Sequence, residues 1–457
     1  MLFSSNVFIL AFLPATLALY YLLAGNRQAR ILLLIAASLI YYGYWDVRFV
    51  PLLVGLALIN WSLAYGFAKG HGRYLLGLGV AINLAALGFF KYTNFLLTNI
   101  YGALGALPPH ADIILPLGIS FFIFQKISYL LDLRRGDKHI YNLADYCLFV
   151  FFFPQLIAGP IVRHNEIIPQ FDLDPRRPGM WENLGRGGFL FVVGLMKKVA
   201  IADSLAPAVD MLFAKAHLSP LNFSEAWIAA IGFGMQIYFD FSGYSDMALG
   251  LGRMFGFTLP VNFAAPYRST SIREFWRRWH ITLSRFLRDY LYIPLGGNRQ
   301  GGLRQAVNVV VTMLLGGLWH GASWTFVAWG GLHGVALAVN GAWDRAGLRL
   351  PRALGWAVTM LFVFVGWVLF RAADFGTAWR MLGSMAGANG LGGVRIDNQN
   401  VLYIAIAVAL LGPTSQDMAF QILRPRRIYA AAAGAALVFC LLAIGGRLQN
   451  EFIYFQF

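Results

Sequence analysis

The sequence predicts an all-α polytopic membrane protein, and three observations carry that reading. Of 457 residues, 58% are hydrophobic, 16% aromatic and only 12% charged. A soluble domain carries about 25% charged residues, so a water-facing surface for a chain of this size cannot be built. The apolar residues also fall in continuous runs that do not alternate, which selects helices over a closed barrel as the spanning element. Third, 36 Lys+Arg stand against 21 Asp+Glu, a formal charge of +15. In so apolar a chain that surplus points to membrane lipid and basic cytoplasmic loops, not to nucleic acid. At about 20 residues per span plus a short loop, the length allows roughly ten to thirteen spans in one membrane domain over residues 1–457.

The runs follow in order. Residues 7–23 form the first; Arg27 and Arg30 come after it and no basic stretch precedes it. It therefore reads as a retained span with the N-terminus outside. Further runs cover 31–44, 52–67, 74–90, 95–107 and 113–133, punctuated by Lys69, His71 and Arg73 and by Arg134, Arg135 and Lys138. The run 147–162 contains Pro154, Gly159 and Pro160, which interrupt helix periodicity, so it bends or re-enters. Residues 163–186, with three prolines and several charges, read as a cytoplasmic loop. Apolar character resumes from 188, is crossed by Lys197 and Lys198, and continues over 227–257. A basic segment follows at 268–304, with eight arginines against two acids. The last runs lie near 307–319, 326–343, 353–370, 401–411 and 428–444. Cys147 and Cys440 are far apart and form no disulfide framework or metal motif. No fixed-period repeat occurs, which argues against an inverted-repeat transporter.

The catalytic motifs of soluble enzymes are missing, so chemistry is sought at polar groups inside apolar runs, where they are costly to place. His320 lies in Gly316-Gly317-Leu318-Trp319-His320-Gly321-Ala322-Ser323-Trp324. An imidazole, titrating near about pH 6.5 when unperturbed, can act there as general base, or be a buried ring tied to a neighbouring carbonyl. Ser271 through Tyr290 form a second group: Ser271 and Glu274 make a capping-box pattern that starts one helix carrying Arg273, Arg277, Arg278, Arg285 and Arg288 with Trp276, Trp279, Phe286 and Tyr290. Such a helix either anchors at the headgroup level or lines the mouth for an anionic, phosphate-bearing donor. His280, on the same stretch, can face the cavity of His320. In the third group, Asp240 and Tyr244 share a helical face while Asp246 points elsewhere, and these acids either line a cavity or pair with an internal arginine. His333 reads as a helix-packing group unless the chain breaks near Ser323.

At these residues the sequence resembles a known family. Glu274-Phe275-Trp276-Arg277-Arg278-Trp279-His280, Asp289-Tyr290-Leu291-Tyr292-Ile293-Pro294-Leu295-Gly296-Gly297-Asn298 and Gly317-Leu318-Trp319-His320-Gly321 are similar to the membrane-bound O-acyltransferase (MBOAT) family, in its bacterial alginate O-acetylation branch. Asp240 through Asp246, Phe3-Ser4-Ser5-Asn6, Phe153-Pro154-Gln155 and Trp367-Val368-Leu369-Phe370-Arg371 add to the likeness. The resemblance implies a ring of about eleven transmembrane helices around a funnel with re-entrant or tilted segments, its motif core near 230–345. It matches the catalytic histidine to His320 and a second histidine to His280. Trp279, Trp319, Arg277, Arg278, Arg285, Asp240, Tyr244 and Ser323 become candidates for lining the donor site or tunnel.

The implied reaction moves an acetyl group from a cytoplasmic thioester, acetyl-CoA or an acyl carrier, to an exported polysaccharide. No metal and no tightly bound cofactor are expected. His320 would take the acceptor proton, and the His280 imidazole or the Trp279 indole would stabilise the oxyanion. The resemblance further implies the bacterial inner membrane and a periplasmic acetyltransferase of the SGNH serine-esterase type, or an export complex, as partner. Two alternatives stand beside it: D-alanyl transfer to teichoic acid from a carrier protein, and a polysaccharide transporter or flippase. The 294–298 run and the start at 3–6 fit the alginate-type branch better than the first.

Overall fold

The computed structural model describes residues 1–109, 111–393, 396–422, 426–446 and 452–453, and among them every regular element is helical. A π-helical turn at Phe8–Phe12 runs into α1 (Leu13–Leu22), followed by α2 (Arg27–Gly43) and α3 (Val50–Ala68). α4 (Tyr74–Leu87) passes through a second π turn, Gly88–Tyr92, into α5 (Thr93–Ala103). α6 (Ile119–Arg134) and α7 (Leu143–Phe151) lead to two single turns, α8 (Phe153–Leu156) and α9 (His164–Ile167), and then to α10 (Met180–Met196). α11 (Asp203–Leu218) and the long α12 (Phe223–Met254) precede the short pair α13 (Ile272–Arg278) and α14 (Ile281–Leu287). A hairpin follows, α15 (Gly301–His320) and α16 (Trp324–Arg345), then α17 (Arg352–Arg371), α18 (Phe375–Met385), α19 (Gln399–Leu411), α20 (Ser415–Asp417) and α21 (Arg427–Gly445).

Among the described residues, five helical stretches are long and apolar enough to cross a bilayer: Val47–Ala68, Tyr74–Ala103, Gly301–His320, Arg352–Arg371 and Arg427–Gly445. A sixth is present if Gln399–Leu411 and Ser415–Ile422, bent by 69°, count as one broken span. The protein is therefore a multi-pass membrane protein. Fewer elements pass this test than the apolar runs suggested, because several runs are divided by breaks.

Four boundaries differ from the sequence reading. The runs 74–90 and 95–107 are one helical stretch, since the polar residues between them carry no helix breaker and the π turn absorbs the irregularity. Helix α6 starts only at Ile119, because Pro116 and the left-handed Gly118 (φ 70°) hold the preceding backbone out of helix. The loop assigned to 163–186 is largely structured, with α9, a 3₁₀ turn at Ile168–Asp172, and α10 starting already at Met180. The supposed single helix from Ser271 to Tyr290 breaks between Arg278 and Ile281, where His280 takes a left-handed conformation (φ 43°).

The chain forms two compact units. The first holds Met1–Leu195 and Tyr244–Val261 together with α21. Its core is aromatic: Phe3 stacks on Tyr244 (ring centroids 4.7 Å) and on Tyr41 (5.4 Å), and Phe153 packs edge-on against Phe12. The buried amide of Asn83 donates to Asn60 Oδ1 at 2.8 Å, joining α4 to α3 without leaving that donor unmet in an apolar setting.

The second unit holds Met196–Gly243 and Asn262–Met418 together with Phe452 and Ile453. Its central feature is the α15–α16 hairpin. A Cβ at Gly317 would overlap the Phe326 carbonyl and one at Gly330 the Met313 carbonyl, so only glycine lets the two backbones touch. Elsewhere in this unit, Lys198 Nζ sits 2.8 Å from both Asp240 Oδ1 and Asp203 Oδ1.

Candidate active site

The second unit brings the two predicted histidines together. His320 is the last residue of α15 and is 4% exposed; His280 occupies the break between α13 and α14 and is fully buried. Their ring centroids lie 6.4 Å apart. Around His320 stand Trp319 at 5.0 Å, Trp329 at 5.2 Å and edge-on, and Phe370 at 5.3 Å. Trp319 also faces His280 at 6.0 Å. The pair is thus walled by aromatic rings, which exclude water and lower the local dielectric.

The break at His280 is held by one side chain. Asn262 Oδ1 accepts from the Thr282 backbone N–H (3.2 Å), from Thr282 Oγ1 (3.0 Å) and from His280 Nδ1 (3.1 Å). The Thr282 amide can only donate, which identifies the Asn262 atom as the oxygen and puts a proton on His280 Nδ1. The neutral ring therefore presents a lone pair at Nε2. It offers a hydrogen-bond acceptor there, so as a neutral group it does not supply an oxyanion donor.

His333 has the opposite tautomer. Its Nδ1 accepts from the Trp276 indole N–H at 3.1 Å, which leaves the proton on Nε2. The chain does break at Gly321–Ser323, so the α16 histidine folds back toward α15. The Trp329 ring lies between, 5.2 Å from His320 and 4.8 Å from His333.

Next to this box lies an arginine-lined cavity of about 590 Å³. Arg273, Arg277, Arg285, Arg288 and Arg345 line it, with Trp276 and Ile281 on the side of the histidines. Ile281 directly follows His280, and Trp276 is the residue that bonds His333. Two of the arginines are matched by acids, Arg273 by Asp344 at 2.5 Å and Arg288 by Asp289 at 2.6 Å. Arg345 donates to Gln305 Oε1. Arg277 has no hydrogen-bond or ion-pair partner among the described residues, which leaves it available to an anion.

The other predicted residues divide. Arg277 and Arg285 line the cavity, whereas Arg278 pairs with Glu274 at 2.7 Å and bonds the Ala264 carbonyl. The expected capping box is half-formed: Ser271 caps the Glu274 N–H, but Glu274 reaches back to Thr270 instead of Ser271. Trp279 stacks on Phe275 at 12° and packs against Trp367. Ser323 caps the start of α16 by accepting from the Thr325 N–H. Asp240 is taken up by Lys198, not by an arginine, and also accepts from the Ile453 N–H at 2.7 Å. Tyr244 belongs to the first unit, stacked on Phe3.

Sequence reasoning passed over Asn262, Trp329 and Arg345. Trp329 stands one helical turn before His333 on the same face, a spacing that could have flagged it. Asn262 carries no such signal, because it acts across a turn of 18 residues.

A sequence model of the membrane-bound O-acyltransferase family matches residues 97–373, which spans α15, α16 and both histidines. The chain belongs to that family. This MBOAT protein is 42% identical to the peptidoglycan O-acetyltransferase of Helicobacter pylori, over 86% of its own length and 81% of the relative. It is 46% identical to the probable alginate O-acetylase of Azotobacter vinelandii, over 84% of this chain and 78% of the other. The teichoic acid D-alanyltransferase of Streptococcus thermophilus is more distant, 29% identical over 56% of this chain and 68% of that one. The protein is an acyltransferase.

Proposed function

We propose that this protein is an O-acetyltransferase of the bacterial inner membrane that moves acetyl from a cytoplasmic thioester to an exported polysaccharide. The observation that carries the reading is the buried His280–His320 pair beside an arginine-lined cavity. A coenzyme with several phosphates suits that cavity, since guanidinium groups bind phosphate oxygens in a planar, charge-assisted way. About eleven helices are proposed to ring a funnel opening to the cytoplasm at the arginines, with the N-terminus on the periplasmic side. The polymer is peptidoglycan or an alginate-like polysaccharide, as in the named relatives. It is reached directly or through a periplasmic acetyltransferase of the SGNH serine-esterase type.

In this mechanism His320 takes the proton from the acceptor hydroxyl as its oxygen attacks the thioester carbonyl. A carbon–oxygen bond forms, the carbonyl electrons move onto oxygen, and collapse expels the thiolate. The thiolate takes the proton back from the His320 imidazolium, so the products are an ester and a free thiol. His280, with its lone pair at Nε2, would orient the acceptor hydroxyl or assist its deprotonation. The dry aromatic wall disfavours competing hydrolysis of the thioester.

His320→Ala is expected to abolish acetylation of the exported polymer while the protein is still inserted at normal abundance; normal acetylation would overturn the role of His320. Purified protein given radiolabelled acetyl-CoA should release thiol or become labelled. Turnover supported only by a D-alanyl carrier protein would move the assignment to the teichoic acid branch.

A further inference from the structure

The mechanism needs a donor for the oxygen that becomes negative, and His280 in its neutral tautomer does not offer one. Among the indoles around the histidines, Trp276 donates its N–H to His333 Nδ1 and Trp367 donates to Tyr267 Oη at 3.2 Å. Trp329 differs. It is 1% exposed, and its Nε1–H has no hydrogen-bond partner among the described residues. Buried donors are nearly always paired, so one left open beside a catalytic histidine calls for an acceptor that arrives with the substrate.

The position of that acceptor is marked by a glycine. Gly366 lies on α17 one turn before Phe370, the residue packed against His320. A Cβ at Gly366 would sit 3.6 Å from Trp329 Nε1 and 3.1 Å from His333 Nε2. His333 Nε2 carries the proton, because Trp276 occupies Nδ1. Two N–H groups on α16, one turn apart, therefore border a notch that exists because α17 has no side chain at this point.

We infer that Trp329 is a catalytic residue, with its indole N–H and the Nε2–H of His333 holding the carbonyl oxygen of the thioester donor in the Gly366 notch. As the acceptor oxygen attacks, charge grows on this carbonyl oxygen and both hydrogen bonds strengthen. Collapse returns the electrons to the carbonyl and releases the thiolate. The donors are fixed in advance by the hairpin, so no reorganisation is needed when the charge appears. This inference rests on acyl transfer at His320.

The test is Trp329→Phe, which keeps an aromatic ring but removes the N–H together with the fused five-membered ring, read as thiol released from acetyl-CoA by the purified protein. The expected result is a fall in kcat of roughly a hundredfold with the donor KM within threefold. The melting temperature should fall modestly in either case, because the smaller ring leaves a cavity at a side chain that is 1% exposed. The separating variant carries 3-benzothienylalanine at position 329, which keeps the fused ring and lacks the N–H: loss of the donor predicts the same fall in kcat, whereas a packing role predicts wild-type kcat. Gly366→Ala, which puts a methyl group into the notch 3.1 Å from His333 Nε2, should also lower kcat. Wild-type kcat in Trp329→Phe, or a rise in KM alone, would overturn the inference. His320→Ala is assayed in parallel. If it is dead while Trp329→Phe is normal, only this inference fails; if His320→Ala turns over normally, the wider reading fails with it.

Discussion

Two buried polar clusters of the second unit, Lys198–Asp203–Asp240 and His280–His320–His333, look alike in the sequence and differ in what they leave open. In the first, Lys198 Nζ lies 2.8 Å from each of two carboxylates, and Asp240 also accepts a backbone N–H from Ile453. One cation is shared by both carboxylates, so each charged group has a partner within the cluster, and it ties α12 to the start of α11. In the second, neutral rings are oriented by Asn262 and Trp276, and the surrounding groups include a buried indole donor and an exposed guanidinium that no described residue engages. The burial of a charge in an apolar run thus does not by itself mark a site. Donors and cations held in place without acceptors do.

The contrast can be broken or sharpened by substitution. His320→Ala should give the largest effect, loss of detectable polymer acetylation without loss of the inserted protein. Lys198→Met should do the reverse: leaving Asp240 as an unpaired buried charge is expected to cost about 3–5 kcal/mol, seen as reduced abundance and a lower melting temperature in detergent. The surviving folded fraction should retain its kcat, and a normal melting temperature would mean that the pair is not structural. Arg277→Gln should raise the donor KM about tenfold, the loss of one charge-assisted hydrogen bond, with kcat kept. An unchanged KM would remove Arg277 from the donor site. Smallest is Ser323→Ala, which removes the α16 cap at about 1 kcal/mol and should shift stability without changing the thiol-release rate by more than a few fold.

Fold class was legible because it depends on composition and long runs, which no tertiary contact can reverse. Helix ends were less so. Nothing local says that residues 74–103 continue through a π turn, or that His280 leaves the helical region, since Asn262 enforces that from 18 residues upstream. The two histidines were singled out because imidazoles among apolar and aromatic residues stand out against their surroundings and because the motifs that hold them resemble those of the family. Asp240 stood out for the same reason, and only the position of Lys198, brought close by the folding of α12 against the preceding chain, separates a structural acid from one lining a cavity. Trp329 was hidden for the opposite reason: among 13 tryptophans in an apolar chain, an indole is ordinary until its hydrogen bonds are counted.

Only Gly321, Ala322 and Ser323 separate α15 from α16, so these two helices emerge from the ribosome in close succession and can pair as they enter the bilayer, their contacts being local in sequence. His320 and Trp329 then meet early in biogenesis, after Asn262 and His280 have been synthesised and before Gly366 has. A nascent chain halted ahead of Arg352 would carry both histidines yet lack the helix that completes the notch. Such a chain would hold the proposed base without the proposed site for the carbonyl oxygen.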